Sequence, residues 1–217
     1  MYKKILTIVF FLFGLAQLFV LYAQTKEFHY MIKGEPLYLL NNGLCIDIEK
    51  RLGNSTKWLM VSPQFYVNYD NSNGDGMGRH NYLSLKGGGI DLTFKNYTST
   101  KGFLSTVYVG YGATWKYYDV RLVKDTWVLS EEDGLNIYMP GKKQYNEQIN
   151  KFGVNAIIGM QNRILKGVFF DIYTGLGIRY STYNSADEPV YKFTSGIWDF
   201  GYTGISIIGG VRIGVGF

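Results

Sequence analysis

The chain has 217 residues, enough for one sizeable domain, and combines 27 glycines, 19 tyrosines and 17% aromatic residues with only 18% charged residues. A soluble helical enzyme would carry more charge, and a disordered chain would carry far fewer aromatic residues. The net charge of +5 comes from basic residues scattered along the chain, so no nucleic-acid partner is expected.

The first 23 residues have the layout of a secretory signal peptide. A basic start, "MYKK", precedes the apolar run "ILTIVFFLFGLAQLFVL", and "YAQ" offers a cleavage point after Ala23. The alternative is an uncleaved membrane anchor, because the apolar run nears the length that spans a bilayer. No basic stop-transfer cluster follows, which favours export with cleavage. We therefore expect a signal peptide over 1–23 and one exported domain over 24–217.

Beyond residue 24, apolar and polar residues alternate with period two between turns rich in Gly, Asn, Ser and Asp, which predicts strands. The first strand, at about 26–40, is inferred because single-chain bacterial barrels have an even number of strands. It contains Pro36, which is unfavourable inside a strand. The alternation itself predicts seven more strands, at about 43–52, 57–69, 87–97, 103–116, 152–163, 168–181 and 202–217.

The connections between these strands alternate in length. "GNST", "STKG" and the break at Lys166 are short, whereas 70–81, 118–147 and 184–201 are long. Short turns at one end and long loops at the other predict an all-β fold, a closed antiparallel transmembrane β-barrel of eight strands. The triple glycine at 87–89 is expected to form a bulge or a kink in its strand.

One face of each predicted strand is apolar, and the other combines polar residues with glycines such as Gly110, Gly112, Gly175 and Gly177. A lipocalin-type soluble barrel would turn the apolar face to a central cavity and the polar face to water. Strand glycines in water lose backbone entropy and pack nothing, whereas a narrow barrel interior needs small residues. We therefore expect the polar, glycine-rich face to line the lumen.

The predicted lumen carries charges of both signs, which must pair or form hydrogen bonds in a low-dielectric interior. We expect a luminal network of Asp47, Glu49, Arg51, Asp91, Lys95, Lys116, Arg163, Asp171, Arg179 and Arg212. Such a mixture favours a plug of salt bridges over a water channel. The lone Cys45 cannot form an intramolecular disulfide and is expected to be a small buried strand residue.

The opposite face has no charged residue in the central part of any strand. Lipid imposes this pattern, because a basic residue at the bilayer midplane costs about 2–4 kcal/mol. Aromatic residues mark the interfaces of membrane barrels. Those expected to form such girdles here are Tyr69, Tyr82, Tyr97, Trp115, Tyr117, Tyr180, Tyr183 and Tyr202.

The last sixteen residues, "YTGISIIGGVRIGVGF", alternate apolar with mostly small positions up to a terminal aromatic residue. Together with the export signal, this strand resembles the small eight-stranded bacterial outer-membrane β-barrels of the OmpA/OmpX type, over about residues 26–217. The resemblance is architectural and points to no functional subfamily. It implies a monomer in the lipid of the bacterial outer membrane, with Phe217 as the signal for the barrel-assembly machinery.

No catalytic constellation stands out, so neither an enzyme nor a cofactor is expected. His80 could be grouped with Asp70 and Ser84, but a loop histidine beside glycines is more often solvated. A lipid-modifying enzyme would also need a base near the lipid face, where no histidine or carboxylate falls. The stretch "DNSNGDG" at 70–76 is spaced like a calcium loop but lacks the glutamate at its twelfth position, so no metal site is expected.

The long segment 118–147 is the predicted place for binding an extracellular ligand. It combines Trp127, Tyr138 and Tyr145 with mixed charges, and rigid scaffolds often display function on such segments. The alternative is a loop that only packs over the barrel mouth. We expect a structural, interaction or adhesion role through such loops. The second hypothesis is a porin-like narrow pore or transport conduit for small solutes, which an interior filled by side chains disfavours.

Overall fold

The computed structural model describes residues 28–53, 55–71, 82–98, 105–132, 135–185, 194, 196–197 and 199–217. The predicted signal peptide, the cleavage after Ala23 and most of the 70–81 segment, including His80, lie outside these residues. Within the described ranges, no helix is both long and apolar enough to cross a membrane.

Eight antiparallel strands form a closed ring in chain order. They are β1 (Tyr30–Gly34), β2 (Gly43–Arg51), β3 (Lys57–Asn71), β4 (Tyr82–Tyr97), β5 (Ser105–Glu132), β6 (Leu135–Leu165), β7 (Val168–Ser185) and β8 (Gly204–Gly216). Each strand pairs with its sequence neighbours, and β1 pairs with β8 to close the ring. The prediction of an all-β, eight-stranded, closed antiparallel barrel is confirmed.

The first strand is much shorter than the predicted 26–40. It ends at Gly34, and a 3₁₀ helix follows over Pro36–Asn41. Proline is favourable in the first turn of a helix, where no backbone N–H is needed, and its ring fixes φ near the helical value. The helix ends on Asn42 in the left-handed conformation, with φ of 54°. Above Gly34, this helix therefore stands where the barrel wall would otherwise continue.

The segment 118–147 extends two strands, so the prediction of a loop there was wrong. β5 and β6 stay paired without interruption as far as Glu132 and Leu135. Pairing of β5 with β4 stops at Arg121, and pairing of β6 with β7 starts at Glu147. Residues 122–146, hereafter the hairpin, therefore stand beyond the barrel as a two-stranded ribbon roughly 36 Å long at ~3.3 Å per residue.

The triple glycine in β4 forms no bulge, so that prediction was wrong. Residues 87–89 pair in regular register with both β3 and β5. A Cβ on Gly87 would lie 2.6 Å from the backbone oxygen of Tyr117, and one on Gly89 would lie 2.8 Å from that of Trp115. These glycines therefore allow β4 and β5 to approach closely.

Two apolar clusters fill the lumen, one near each end. The turn-end cluster lies near the short turns and comprises Phe28, Met31, Trp58, Tyr97, Tyr108, Ile157 and Phe169. The loop-end cluster lies at the opposite end and comprises Tyr66, Leu85, Tyr118, Val120, Leu122 and Ile149. Aromatic rings pack against each other within each cluster. The ring centroids of Phe28 and Phe169 are 5.2 Å apart in the turn-end cluster, and those of Tyr66 and Tyr118 are 5.1 Å apart in the loop-end cluster.

Two aromatic residues expected on the outside face the lumen instead. Tyr97 has the same strand parity as Lys95 and is buried in the turn-end cluster. Tyr183 has the parity of Arg179 and packs against the loop-end cluster. Position near a strand end suggested girdle residues, but parity decides which way they point. Trp115 and Tyr180 lie on the outer face, and the side chains of Tyr69 and Tyr82 lie outside the described part.

Candidate functional site

The middle of the lumen holds a cluster of charged side chains contributed by β1, β2, β4, β7 and β8 and by the residue that follows β1. Its members, hereafter the charge cluster, are Lys33, Glu35, Asp47, Glu49, Lys95, Asp171 and Arg212. All seven are buried. They meet because inward-facing positions of neighbouring strands alternate in step around a narrow ring.

Two lysines occupy the centre of the charge cluster. The Nζ atom of Lys33 lies 2.8 Å from Glu49 Oε1, 2.5 Å from Gln161 Oε1 and 3.1 Å from Asp171 Oδ2. The Nζ atom of Lys95 lies 2.6 Å from the same Glu49 oxygen and 3.2 Å from the same Asp171 oxygen. Both ammonium groups thus share both carboxylates, which neutralises charge that could not otherwise be buried.

Arg212 completes the cluster on the β8 side. Its Nε atom lies 2.6 Å from Asp47 Oδ2 and 3.6 Å from Glu35 Oε2, and its Nη1 atom lies 3.7 Å from Asp171 Oδ2. Its guanidinium carbon stands 3.6 Å from the centroid of the Tyr173 ring. The Tyr173 hydroxyl in turn donates a hydrogen bond to Glu35. Glu35 therefore has two partners, although it lies outside any strand.

Tyrosine hydroxyls connect the charge cluster to the turn-end cluster. Tyr97 donates to Gln161 Oε1 at 2.9 Å, and Tyr108 donates to Asp171 Oδ1 at 2.8 Å. The Tyr108 ring also lies 4.4 Å from Lys95 Nζ, within the range of a cation–π contact. Apolar packing and charge pairing together therefore fill this part of the lumen.

Five of the ten charges predicted for a luminal network lie in the charge cluster: Asp47, Glu49, Lys95, Asp171 and Arg212. The other five lie elsewhere. Arg51 donates a hydrogen bond to Ser55 O, Arg163 donates one to Leu165 O, and Asp91 accepts one from Thr114. Lys116 and Arg179 lie nearer the loop end. Sequence reasoning missed Lys33 and Glu35. The available signal was the period-two spacing of Lys33 and Glu35, with Ile32 on the opposite parity.

One group within the described residues could hold a metal ion by geometry. The ligand atoms of Glu35, Cys45 and Asp47 all lie within 4.8 Å of one another. The Arg212 guanidinium already supplies the positive charge there, since it contacts both carboxylates. Cys45 is 1% exposed, so the expectation that it is a buried strand residue is confirmed.

A cavity of about 380 Å³ lies between the charge cluster and the loop-end cluster. Arg212 and Tyr173 line it on one side, and Tyr66 and Tyr118 line it on the other. This volume falls within the ~300–1,000 Å³ of typical small-molecule sites.

Three cationic side chains line the loop-end part of this cavity: Lys116, Lys151 and Arg179. Lys116 and Lys151 are directly opposite each other in the β5–β6 ladder, an arrangement of like charges that is unfavourable without a counter-charge. Lys151 Nζ lies 2.6 Å from the backbone oxygen of Asp199, and Lys116 Nζ lies 3.4 Å from the Tyr38 hydroxyl. Positive charge is therefore concentrated on one wall of the cavity.

Arg179 is the most notable of the three. Its side chain is 9% exposed, and its Nη1 atom has no hydrogen-bond partner within the described part of the chain. Two glycines make room for it: a Cβ on Gly153 would lie 2.5 Å from this Nη1 atom, and one on Gly177 would lie 3.2 Å from the guanidinium carbon. The fold thus holds a buried guanidinium with an unused donor beside an open volume.

No protein-family model matches the chain, and no curated protein matches it. One similar solved structure is a major outer membrane protein from Thermus thermophilus. It is 10% identical, has a TM-score of 0.43, and aligns over 87% of this chain and 98% of its own. Any functional conclusion must therefore come from the geometry of this molecule.

Proposed function

We propose that the mature chain is an integral β-barrel of the bacterial outer membrane, closed inside, which presents the hairpin to partners outside the cell. The observation that carries this proposal is the outer face of the barrel. Every strand contributes exposed apolar residues to it: Ile32, Ile48, Phe65, Leu92, Val109, Val154, Leu176 and Ile205 are one example from each.

Such a surface is suited to lipid. Soluble monomers rarely expose contiguous apolar patches above a few hundred Å², whereas here an apolar face runs around the whole ring. The buried interior holds the charge cluster between two aromatic-rich clusters, unlike the apolar cavity of a soluble barrel that binds an apolar ligand. Apart from β1 and β2, each strand has at least 13 residues, more than the roughly 9–11 needed to cross a bilayer.

The hairpin is the part of the molecule best placed for interaction. Near its tip, Leu129 pairs with Tyr138 and Trp127 pairs with Pro140, so all four side chains share one face of the ribbon. Trp127 and Tyr138 are 66% and 69% exposed. Exposed aromatic residues on a projecting element are typical of binding surfaces. With the short turns in the periplasm, this tip stands outside the cell, which supports an interaction or adhesion role.

A pore for small solutes is the second candidate, and the charge cluster argues against it. The side chains of Lys33, Glu49, Lys95 and Asp171 are fully buried where they meet across the lumen. The aromatic turn-end cluster lies below them. An open water path would expose these groups, so we expect no stable conductance from the purified protein in planar bilayers. Regular single-channel steps would instead support the pore.

The same proposal includes the route to the membrane and the absence of catalysis. The chain is exported, loses residues 1–23 and is assembled as a monomer into outer-membrane lipid, with Phe217 recognised by the barrel-assembly machinery. The Phe217 side chain is 43% exposed at the turn end, where another protein can reach it. No enzymatic step is required of the charge cluster, whose groups are already paired with one another.

Two measurements, one on the purified protein and one on cells, test the membrane placement. A stable barrel resists detergent until boiled, so we expect the unheated sample to run faster than the boiled sample on a denaturing gel. In cells, the protein should remain with the membrane pellet after a carbonate wash. Recovery of a folded protein in the aqueous phase without detergent would contradict the proposal.

A further inference from the structure

The barrel wall has a gap on one side. β1 pairs with β8 only at Met31–Gly34, opposite Gly216–Ile213. Within the described residues, no ladder pair joins the rest of β8, from Gly204 to Arg212, to β1 or β2. The 3₁₀ helix, Pro36–Asn41, stands in this place, and a helix cannot extend the strand ladder. The upper half of β8 is therefore a free edge facing that helix.

The cavity extends to this gap. Its lining includes Ile207 and Ile208, which are neighbours on β8 and point to opposite faces of the sheet. Ile207 is 61% exposed on the outer surface, whereas Ile208 packs against the turn-end cluster. Leu37 and Leu40 of the 3₁₀ helix, 42% and 71% exposed, line the same cavity. One volume is thus bounded by luminal residues and by apolar residues of the outer face.

The Arg179 guanidinium lies near this opening, with its unused Nη1 donor on the side of Gly153 in β6. A Cβ on Gly177 would be 3.2 Å from both the Arg179 guanidinium carbon and the Ser206 hydroxyl, which places the guanidinium next to β8. Ser206 immediately precedes Ile207, at the edge of the gap. The carboxylates that line the cavity are already engaged: Glu35 by Tyr173, Asp91 by Thr114 and Asp199 by the Gly196 N–H. An anion would supply the missing partner.

We infer that this cavity binds a single-chain anionic amphiphile, with its acidic head at Arg179 and its hydrocarbon chain leading out between β8 and the 3₁₀ helix. Lys116 and Lys151 add positive charge around the head. Leu37, Leu40 and Ile207 provide the apolar path for the chain. This inference rests on the proposed membrane placement, since the chain would leave the barrel into lipid at the level of Ile207.

The experiment uses the mature protein in nanodiscs of zwitterionic phospholipid, prepared only from samples that pass the heated and unheated gel test. A photoreactive palmitic acid is the probe, and labelled peptides are located by mass spectrometry. We expect labelling to concentrate on peptides containing Leu37, Leu40 or Ile207. Unlabelled palmitate should displace it, and hexadecanol, which has the same chain without the charge, should be at least tenfold weaker. A monoalkyl phosphate as competitor distinguishes a phosphate head from a carboxylate head.

Arg179→Gln tests the head site. We expect a roughly tenfold to hundredfold loss of affinity for palmitate, the size of one charge-assisted hydrogen bond, with hexadecanol competition unchanged. Lys142→Gln, at an exposed position of the hairpin, removes the same charge and should change nothing. Ile207→Asn should weaken palmitate and hexadecanol alike, whereas Leu92→Asn, an outer-face residue on the far side of the barrel, should weaken neither.

Three results would overturn the inference: labelling spread evenly over the outer face, equal competition by palmitate and hexadecanol, or Arg179→Gln indistinguishable from the unaltered protein. Each of these leaves the membrane placement intact, because the gel test is read on the same samples and the carbonate test on cells that make the same protein. Failure of those tests would instead remove the proposed function.

Discussion

Lys95 on β4 and Asp171 on β7 form an ion pair across the lumen, with 3.2 Å between Nζ and Oδ2. Asp171 is also contacted by Lys33 on β1, Tyr108 on β5 and Arg212 on β8. One buried carboxylate therefore holds side chains from four other strands. The barrel is braced internally as well as along its ladders.

Asp171→Asn should destabilise the barrel strongly. The change removes one negative charge from a cluster in which Lys33, Lys95 and Arg212 stay buried, and breaking a buried pair in this way costs about 3–5 kcal/mol. We expect the folded gel band to be lost at a lower temperature or urea concentration. Asp91→Asn is the matched control, because its partner Thr114 can still donate to an amide; its effect should stay within about 0.5 kcal/mol. Equal losses in both variants would refute the bracing role.

Gly175→Ala should cost about 1–3 kcal/mol, since the new Cβ would overlap the backbone oxygen of Ala156 on the neighbouring strand. Unfolding in urea, followed by the heated and unheated gel mobility, measures the loss. Gly34→Ala is the control, because a Cβ there would meet no atom within 4 Å. If both variants unfold at the same urea concentration, close strand approach is not the reason for glycine at position 175.

Protease added to intact cells should cut the hairpin and leave the barrel whole. Lys142 and Lys143 are exposed in the hairpin, closer to its base than to its tip, so trypsin should produce two fragments that still migrate together as a folded barrel until boiled. Replacing residues 123–144 by Asn-Gly joins the ladder partners Leu122 and Tyr145 with a favourable two-residue turn. This variant should fold, resist cleavage and lose cell–cell aggregation. Complete protection of the unaltered protein on intact cells would contradict the placement of the hairpin outside the cell.

Phe217→Ala should reduce assembly in cells several-fold and change stability little. The Phe217 ring stacks on Tyr30, with centroids 6.0 Å apart, and such a pair is worth about 0.5–1.5 kcal/mol. The measurements are the amount of folded barrel in membranes and the urea unfolding of the refolded protein. Tyr30→Ala removes the same stack but keeps Phe217. Should both variants assemble equally poorly, packing rather than recognition explains the terminal aromatic residue.

Strand parity predicted the barrel well because lumen and exterior impose opposite chemistry on alternate residues. It placed Asp47, Glu49, Lys95, Asp171 and Arg212 on one surface without any contact information. Which charges pair, however, depends on the register and shear of the ring, and period-two patterns do not specify these. Arg163, for example, has the strand parity predicted for the lumen, but it donates a hydrogen bond to Leu165 O near a turn and does not join the charge cluster.

The remaining differences have local physical causes. The end of β1 at Gly34, and the luminal positions of Lys33 and Glu35, could not be predicted because of Pro36. A proline is unfavourable inside a strand but favourable at the start of a helix. The sequence of the hairpin indicates a loop because both of its faces are largely exposed, which removes the clean alternation of a half-buried strand. The unused donor of Arg179 depends on neighbours from three strands, so no sequence pattern reveals it.

The short β1 has a consequence for how the ring forms. Each of the strands β2 to β8 pairs with the strand that precedes it in the sequence. The pairing of β1 with β8, in contrast, joins opposite ends of the described chain, and it comprises only four residue pairs. Such long-range closure carries the largest entropy cost and comes late in folding. The same step brings Lys33 to Asp171. Ring closure therefore completes the charge pairing: in an unclosed sheet Asp171 still has Arg212 opposite it in the β7–β8 ladder, but it lacks Lys33.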